Sequence, residues 1–208
     1  AGQTENYSMA LIFSEDVQDL AKTKIAVQQI YNSTYRFARP PDPPTIEAFP
    51  GDGKVILTWD AKAEHSFDPF LQEFDFEGYK IYRSSEPEFL ETRQITDAYG
   101  RSTFRKPIAQ FDLVNDIKGL HPIGIEGVQY NLGEDTGLRH VFIDTDVING
   151  MTYYYAVVSY DRGFVDTSFV AGGIAIEGIT PSESPSIIQQ DISGNVQLSL
   201  NTAVVTPG

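Results

Sequence analysis

The residues best equipped for chemistry in this chain are oxygen donors. Asp144-Thr145-Asp146-Val147-Ile148-Asn149-Gly150 sets two carboxylates, a carboxamide and a turn glycine within one short segment. Asp144, Asp146 and Asn149 are the ligand types that a hard cation such as calcium takes. The run has one residue more than an Asp-x-Asp-x-Asn-Gly loop, and no glutamate follows at the distance such a loop requires. The competing reading is a plain hairpin corner, with Asn149-Gly150 making the turn and both aspartates facing water. Calcium is thus the one cofactor these residues nominate. A second acidic group, Asp68, Glu73, Asp75 and Glu77, lies upstream. A shared ion would need the two groups to meet in space.

Other chemistries lack their signatures. His65, His121 and His140 show no metal-ligand spacing and are expected at loops or strand ends. There is no Gly-x-Ser-x-Gly elbow and no phosphate-binding glycine loop. Carboxylates abound, but a glycosidase pair needs a cleft on a larger fold, so no enzyme is expected. The chain has no cysteine, which excludes disulfides, thiolate metal sites and cysteine nucleophiles. A net charge of −14 opposes binding to nucleic acid or anionic lipid, both of which need a basic face. No apolar run approaches the roughly 20 residues that span a bilayer, so no membrane insertion is expected. Met9-Ala10-Leu11-Ile12-Phe13 is too short for a signal-peptide core and has no basic flank. The chain reads as soluble, with any targeting signal outside it.

The elements that must position these residues fall into three zones. Residues 1–40 read as an N-terminal arm: a strand over Asn6 to Phe13, then an amphipathic helix. Ser14 is its expected N-cap, and Leu20, Ala21, Ile25, Ala26, Ile30 and Tyr31 form its apolar stripe. Arg39-Pro40-Pro41-Asp42-Pro43-Pro44 ends the helix and reads as a stiff linker. From 41 to 181 the hydrophobic period falls to two. A hairpin joins 45–49 to 54–59 through Gly51-Asp52-Gly53, with Val55, Leu57 and Trp59 on one face. Gly78 to Arg83 places Tyr79 and Ile81 together and Lys80 and Tyr82 opposite. His140 to Thr145 and Thr152 to Tyr160 follow, the latter aligning Tyr153, Tyr155 and Val157. Gly173 to Ile179 is expected to close the set. The stretch 85–138 is a long insertion, expected to hold short strands near 108–113 and 127–131. Residues 182–208 read as a linker and a C-terminal hairpin around Ser193-Gly194-Asn195. The fold class is mainly β, an antiparallel β-sandwich.

Several of these segments are familiar together. Pro43-Pro44, Val55-Ile56-Leu57-Thr58-Trp59, Gly78-Tyr79-Lys80-Ile81-Tyr82-Arg83 and Asn149-Gly150-Met151-Thr152-Tyr153-Tyr154-Tyr155-Ala156-Val157 resemble a fibronectin type III domain. The resemblance covers roughly 42–84 and 139–180, and it departs from the family in the insertion and both flanks. It implies that Trp59 and Tyr79 are core residues and Tyr153 the tyrosine corner, and the alternation adds Ile81, Tyr155 and Val157 to the expected core. Their hydroxyls and the Trp59 indole N–H are expected to find partners. The style of the segments resembles large secreted or cell-surface bacterial proteins, which implies an extracellular or cell-surface location. The expected role is a non-catalytic structural module binding neighbouring domains or protein subunits. Two alternatives are a subunit of a surface filament held by strand exchange and a carbohydrate-binding module. The latter would stack sugars on Phe70, Phe74, Phe104 or Tyr130.

Overall fold

The structure, a computed structural model, describes residues 9–32, 38–69, 71–96, 101–125, 127–165, 170–171, 174–175, 178–190 and 196–208. Its centre is a pair of antiparallel sheets built from β1 (Ile46–Gly51), β2 (Lys54–Trp59), β3 (Phe76–Ser84), β4 (Ala109–Asp112), β5 (Val141–Asp144), β6 (Tyr153–Asp161) and β7 (Thr202–Val205). One sheet runs β1-β2-β5 and the other β7-β6-β3-β4. Strict alternation directs Val55, Leu57 and Trp59 of β2 inward, where they meet Tyr79 and Ile81 of β3 and Tyr153, Tyr155 and Val157 of β6. All eight are buried, as are Ile46, Phe111, Ala203 and Val205 around them. The Trp59 indole stacks on Phe111 at 6.2 Å and meets the edge of Tyr79 at 5.8 Å. Its N–H departs from expectation: buried among aromatic rings, it has no hydrogen-bond partner among the described residues.

The inner face follows the hydrophobic period; the outer face of the four-stranded sheet does not. Lys80 and Tyr82 of β3 and Ala156, Val158 and Tyr160 of β6 point away from the first core, yet all are buried. Phe89, Tyr130, Leu132 and Ile188 cover them, carried by the segments between β3 and β4, between β4 and β5, and between β6 and β7. The inserted segments therefore form a third layer. Within it Val128–Asn131 pairs with Leu120–Ile125, and Ile188–Gln190 pairs with Val196–Leu198.

Four sequence expectations are corrected. The strand beside β6 is Thr202–Val205, paired Tyr153↔Val205 through Ala156↔Thr202, and not 173–179. Ile174–Ala175 folds back on Val170–Ala171 instead, while Gly173, Ala175's neighbour Ile176 and Glu177 lie outside the described residues. Ala203 and Val205 alone face the core from β7, a pattern too short to stand out in the sequence. Met9 to Phe13 is not a strand and pairs with no strand among the described residues, so its main chain has no ladder to satisfy it; Asn6 to Ser8 lie outside the described residues. The helix runs Val17–Asn32 and is capped by Asp16, whose Oδ1 accepts the N–H groups of Gln18 and Asp19, both at 2.8 Å. The side chains of Ile25, Ala26, Ile30 and Tyr31 lie outside the described residues. Finally, both proline-rich stretches are docked rather than free, with Pro41, Pro44, Pro181 and Ser184 buried.

The two ends of the sandwich are distinct. Arg39 N–H donates to Asp68 Oδ2 at 2.9 Å, Asp42 N–H to Ser66 Oγ at 2.8 Å, and Ser159 Oγ to the Asp42 carbonyl at 2.9 Å. The chain thus joins the sandwich where β3 begins and β6 finishes. At the opposite end, where β3 finishes and β6 begins, Gly150 N–H donates to the Pro207 carbonyl at 2.8 Å.

Candidate functional site

The long sides of the sandwich also differ. On one side Ile46 N–H donates to the Leu200 carbonyl at 2.9 Å and draws the sheets together. On the other, β5 and the segment entering β4 stand apart, leaving a groove of about 730 Å³. Phe142 and Ile143 of β5 form one wall, Lys106, Pro107 and Ile108 the other, and Arg83 lies at one end. β5 is an edge strand. Trp59 N–H donates to the His140 carbonyl at 3.1 Å, which fixes the ladder so that Phe142 and Asp144 bond β2. The main-chain groups of Val141 and Ile143 therefore point into the open side, unpaired among the described residues. Their side chains are half exposed, as is the ring of Phe49, and Ile143, Ile56 and Phe49 line up as direct cross-strand neighbours.

Arg83 organises the end of the groove. The alternation that directs Tyr79 and Ile81 inward directs Arg83 inward as well. Its Nη1 donates to both oxygens of Asp144, at 3.0 and 2.9 Å, and to the Asp146 carbonyl, while Nη2 reaches Asp146 Oδ2 at 2.9 Å. Asp144 also accepts Tyr155 OH at 2.7 Å and Asp146 N–H at 3.0 Å. A guanidinium thus sits against the two carboxylates that the sequence nominated for calcium. Asn149 is turned away: its Oδ1 accepts Gly53 N–H and its Nδ2 donates to Asp52 Oδ1, each at 2.7 Å. It staples the β1–β2 turn to the turn before β6. Among the described residues no group of three or more acidic or histidine side chains is arranged to hold a metal ion.

The second acidic group lies at the far end. The β3–β6 register pairs Gly78 with Tyr160 and Phe76 with Asp161, leaving Glu77 as a bulge. Gly78 is required there, since a Cβ would come within 2.4 Å of the Phe111 carbonyl. Glu77 is fully buried; Oε2 accepts Asn115 Nδ2 at 3.1 Å and Oε1 has no partner among the described residues. Burial, aided by Asp112 and Asp135 and opposed by Asn115 and Arg162, pushes its carboxyl up to about 7. Burial, with Asp161 and Asp68 nearby, does the same to Asp75, also to about 7. Both folded values lie above the ordinary carboxyl range. The folded chain therefore keeps protons that the unfolded chain releases near pH 4. Their stabilising contribution is complete below about pH 4 and is lost as pH rises through about 7. Melting temperature should fall by several degrees between about pH 5.5 and 8. Glu77→Gln, held neutral, should flatten that fall and gain about 1 kcal/mol at the alkaline end. A flat wild-type profile would mean that both carboxyls ionise normally.

A further polar cluster is enclosed on the outer face of β3. Lys80 Nζ lies 3.5 Å from the centre of the Tyr130 ring and 3.7 Å from Glu183 Oε1. The same Oε1 accepts Tyr82 OH at 2.8 Å and Tyr130 OH at 2.9 Å. Burial lowers the Lys80 ammonium to about 8 against the pull of Glu183, and burial beside Glu183 raises both phenols. The cluster is internally satisfied and clamps Pro181–Pro185 onto the sheet.

The other nominated residues are separate. His140 Nε2 meets Glu64 Oε1 at 2.6 Å, His65 is exposed, and His121 lies wholly buried near the start of the strand Leu120–Ile125. Of the rings proposed for sugar stacking, Tyr130 is buried, Phe104 packs edge-on against it at 5.4 Å, and Phe70 lies outside the described residues. Phe74 is exposed, with Phe67 edge-on at 5.3 Å. Compared with known proteins, this chain matches no family model and no curated sequence, and the groove stands on its own geometry.

Proposed function

We propose that this chain is a non-catalytic interaction module of the fibronectin type III kind, serving as spacer and docking surface in an extracellular or cell-surface protein. Its partners would be protein: neighbouring domains or other subunits. The family reading is supported by the three-plus-four strand order and by Tyr153, whose hydroxyl accepts Ile148 N–H at 3.0 Å just upstream, as a tyrosine corner does. The docking reading is carried by one observation, the unpaired edge of β5 beside an open groove. Such an edge takes an extended segment by adding a strand: main-chain bonds give affinity, and alternate side chains give selectivity. The bulk acidity keeps the remaining surface solvated.

The test is a titration of the ¹⁵N-labelled chain with a synthetic Thr-Val alternating peptide. Amide signals of Val141 and Ile143 should shift first. Ile143→Pro removes only an outward N–H from an edge strand and should weaken binding at least about tenfold. Saturating peptide with no shift along β5 would end the docking reading.

A further inference from the structure

We propose that the segment filling the groove is Met9–Phe13 of a second copy of this chain, added as a strand along β5 so that copies join head to tail. The inference rests on the docking reading and supplies its partner.

The donor is unusual in its exposure. Met9, Leu11 and Phe13 are 98%, 82% and 83% exposed, alternate in sequence as strand residues do, and belong to no ladder among the described residues. Four of the segment's five apolar residues are exposed, Ile12 being half-buried, and their main chain, unpaired among the described residues, lacks an edge to complete. The acceptor has what they lack. Val141 and Ile143 offer outward main-chain groups, and a strand laid beside them would turn alternate side chains onto Phe142 and Ile108 in the groove. The opposite face would extend the exposed row of Ile143, Ile56 and Phe49. Charge agrees locally. Lys106 on the far wall is exposed and has no ion-pair partner among the described residues, while Glu15 and Asp16 follow Phe13 after Ser14 in the donor.

In this structure Met9, Leu11 and Phe13 are exposed and do not pair with β5 of their own copy, which leaves that edge to another copy. The arm is rooted where Arg39 and Asp42 bond Asp68 and Ser66, at the end where β3 begins. The groove lies by Arg83, seven residues along β3, or about 23 Å away at ~3.3 Å per residue. Root and acceptor at opposite ends give a contact between unlike surfaces. Repeated without closure, it makes a chain of molecules rather than a symmetric pair. The net charge of −14 opposes this assembly, so salt should promote it.

Sedimentation of the full chain tests the proposal. Average mass should rise with concentration, and further as sodium chloride goes from about 0.05 to 0.5 M. Leu11→Asp spoils the donor and Ile143→Pro the acceptor, so each alone should remain monomeric with its melting temperature little changed. Ile143→Lys serves in place of the proline variant if that one unfolds. An equimolar mixture of the two variants should form dimers and stop there, because one good donor and one good acceptor remain. A wild type that stays monomeric at several hundred micromolar in high salt overturns the proposal, as does a Leu11→Asp variant that assembles normally. In either case the Thr-Val peptide separates the failures. Shifts at Val141 and Ile143 would leave the groove as a docking site for another segment, whereas their absence removes both readings.

Discussion

Truncating Glu183 to alanine should cost the fold about 3–5 kcal/mol, measured by denaturant unfolding. One oxygen, Oε1, accepts Tyr82 OH and Tyr130 OH and faces the Lys80 ammonium. Without it, two buried phenols lose their acceptor, at about 1–3 kcal/mol each when nothing replaces it. The ammonium keeps only the faces of Tyr130 and Tyr160. Because burial already lowers Lys80 to about 8, the variant should shed that proton near neutrality, which limits the loss. Glu183→Gln retains an acceptor and should lose about half as much. A loss under about 1 kcal/mol would show that Pro181–Pro185 does not hold the third layer in place.

Arg83→Ala should cost about 3 kcal/mol, the lower part of the range for breaking a buried pair, since Arg83 is itself partly exposed. Asp144, only 4% exposed, would keep Tyr155 OH and Asp146 N–H but lose both bonds from the guanidinium. Arg83→Lys should recover little, because one ammonium cannot reproduce a fork spread over Asp144 and Asp146. Adding Asp144→Asn to Arg83→Ala should recover a good part of the loss, since no uncompensated buried charge would remain. Additive losses in that double variant would mean that the two groups do not sense each other.

The inner half of the sandwich was readable before any coordinates. Val55, Leu57 and Trp59 alternate with Lys54, Ile56 and Thr58, a period of two that has one physical meaning. Tyr153, Tyr155 and Val157 instead share their strand with the apolar Tyr154, Ala156 and Val158 and were placed by their strand type. The outer half was not readable. Lys80 and Tyr82 occupy positions that water normally wets, and only residues up to about a hundred positions away, Glu183 among them, exclude it. Thr202–Val205 contributes two inward side chains, too few to show a period. At the site, the turn at Asn149-Gly150 was correctly placed, but Asn149 spends its amide on Gly53 and Asp52, and Asp144 faces a guanidinium. The groove left no motif to find, because it is defined by a strand that β5 does not have.

The placement of residues 38–42 at one end of the sandwich and 205–207 at the other has a mechanical consequence. Tension applied through those two segments runs parallel to the strands. β1 would be drawn one way and β7 the other, so the hydrogen bonds joining β1 to β2 and β7 to β6 meet the pull side-on. Bonds loaded in that direction must slide together rather than peel apart one at a time. A sandwich threaded in this way resists a pull applied along that line.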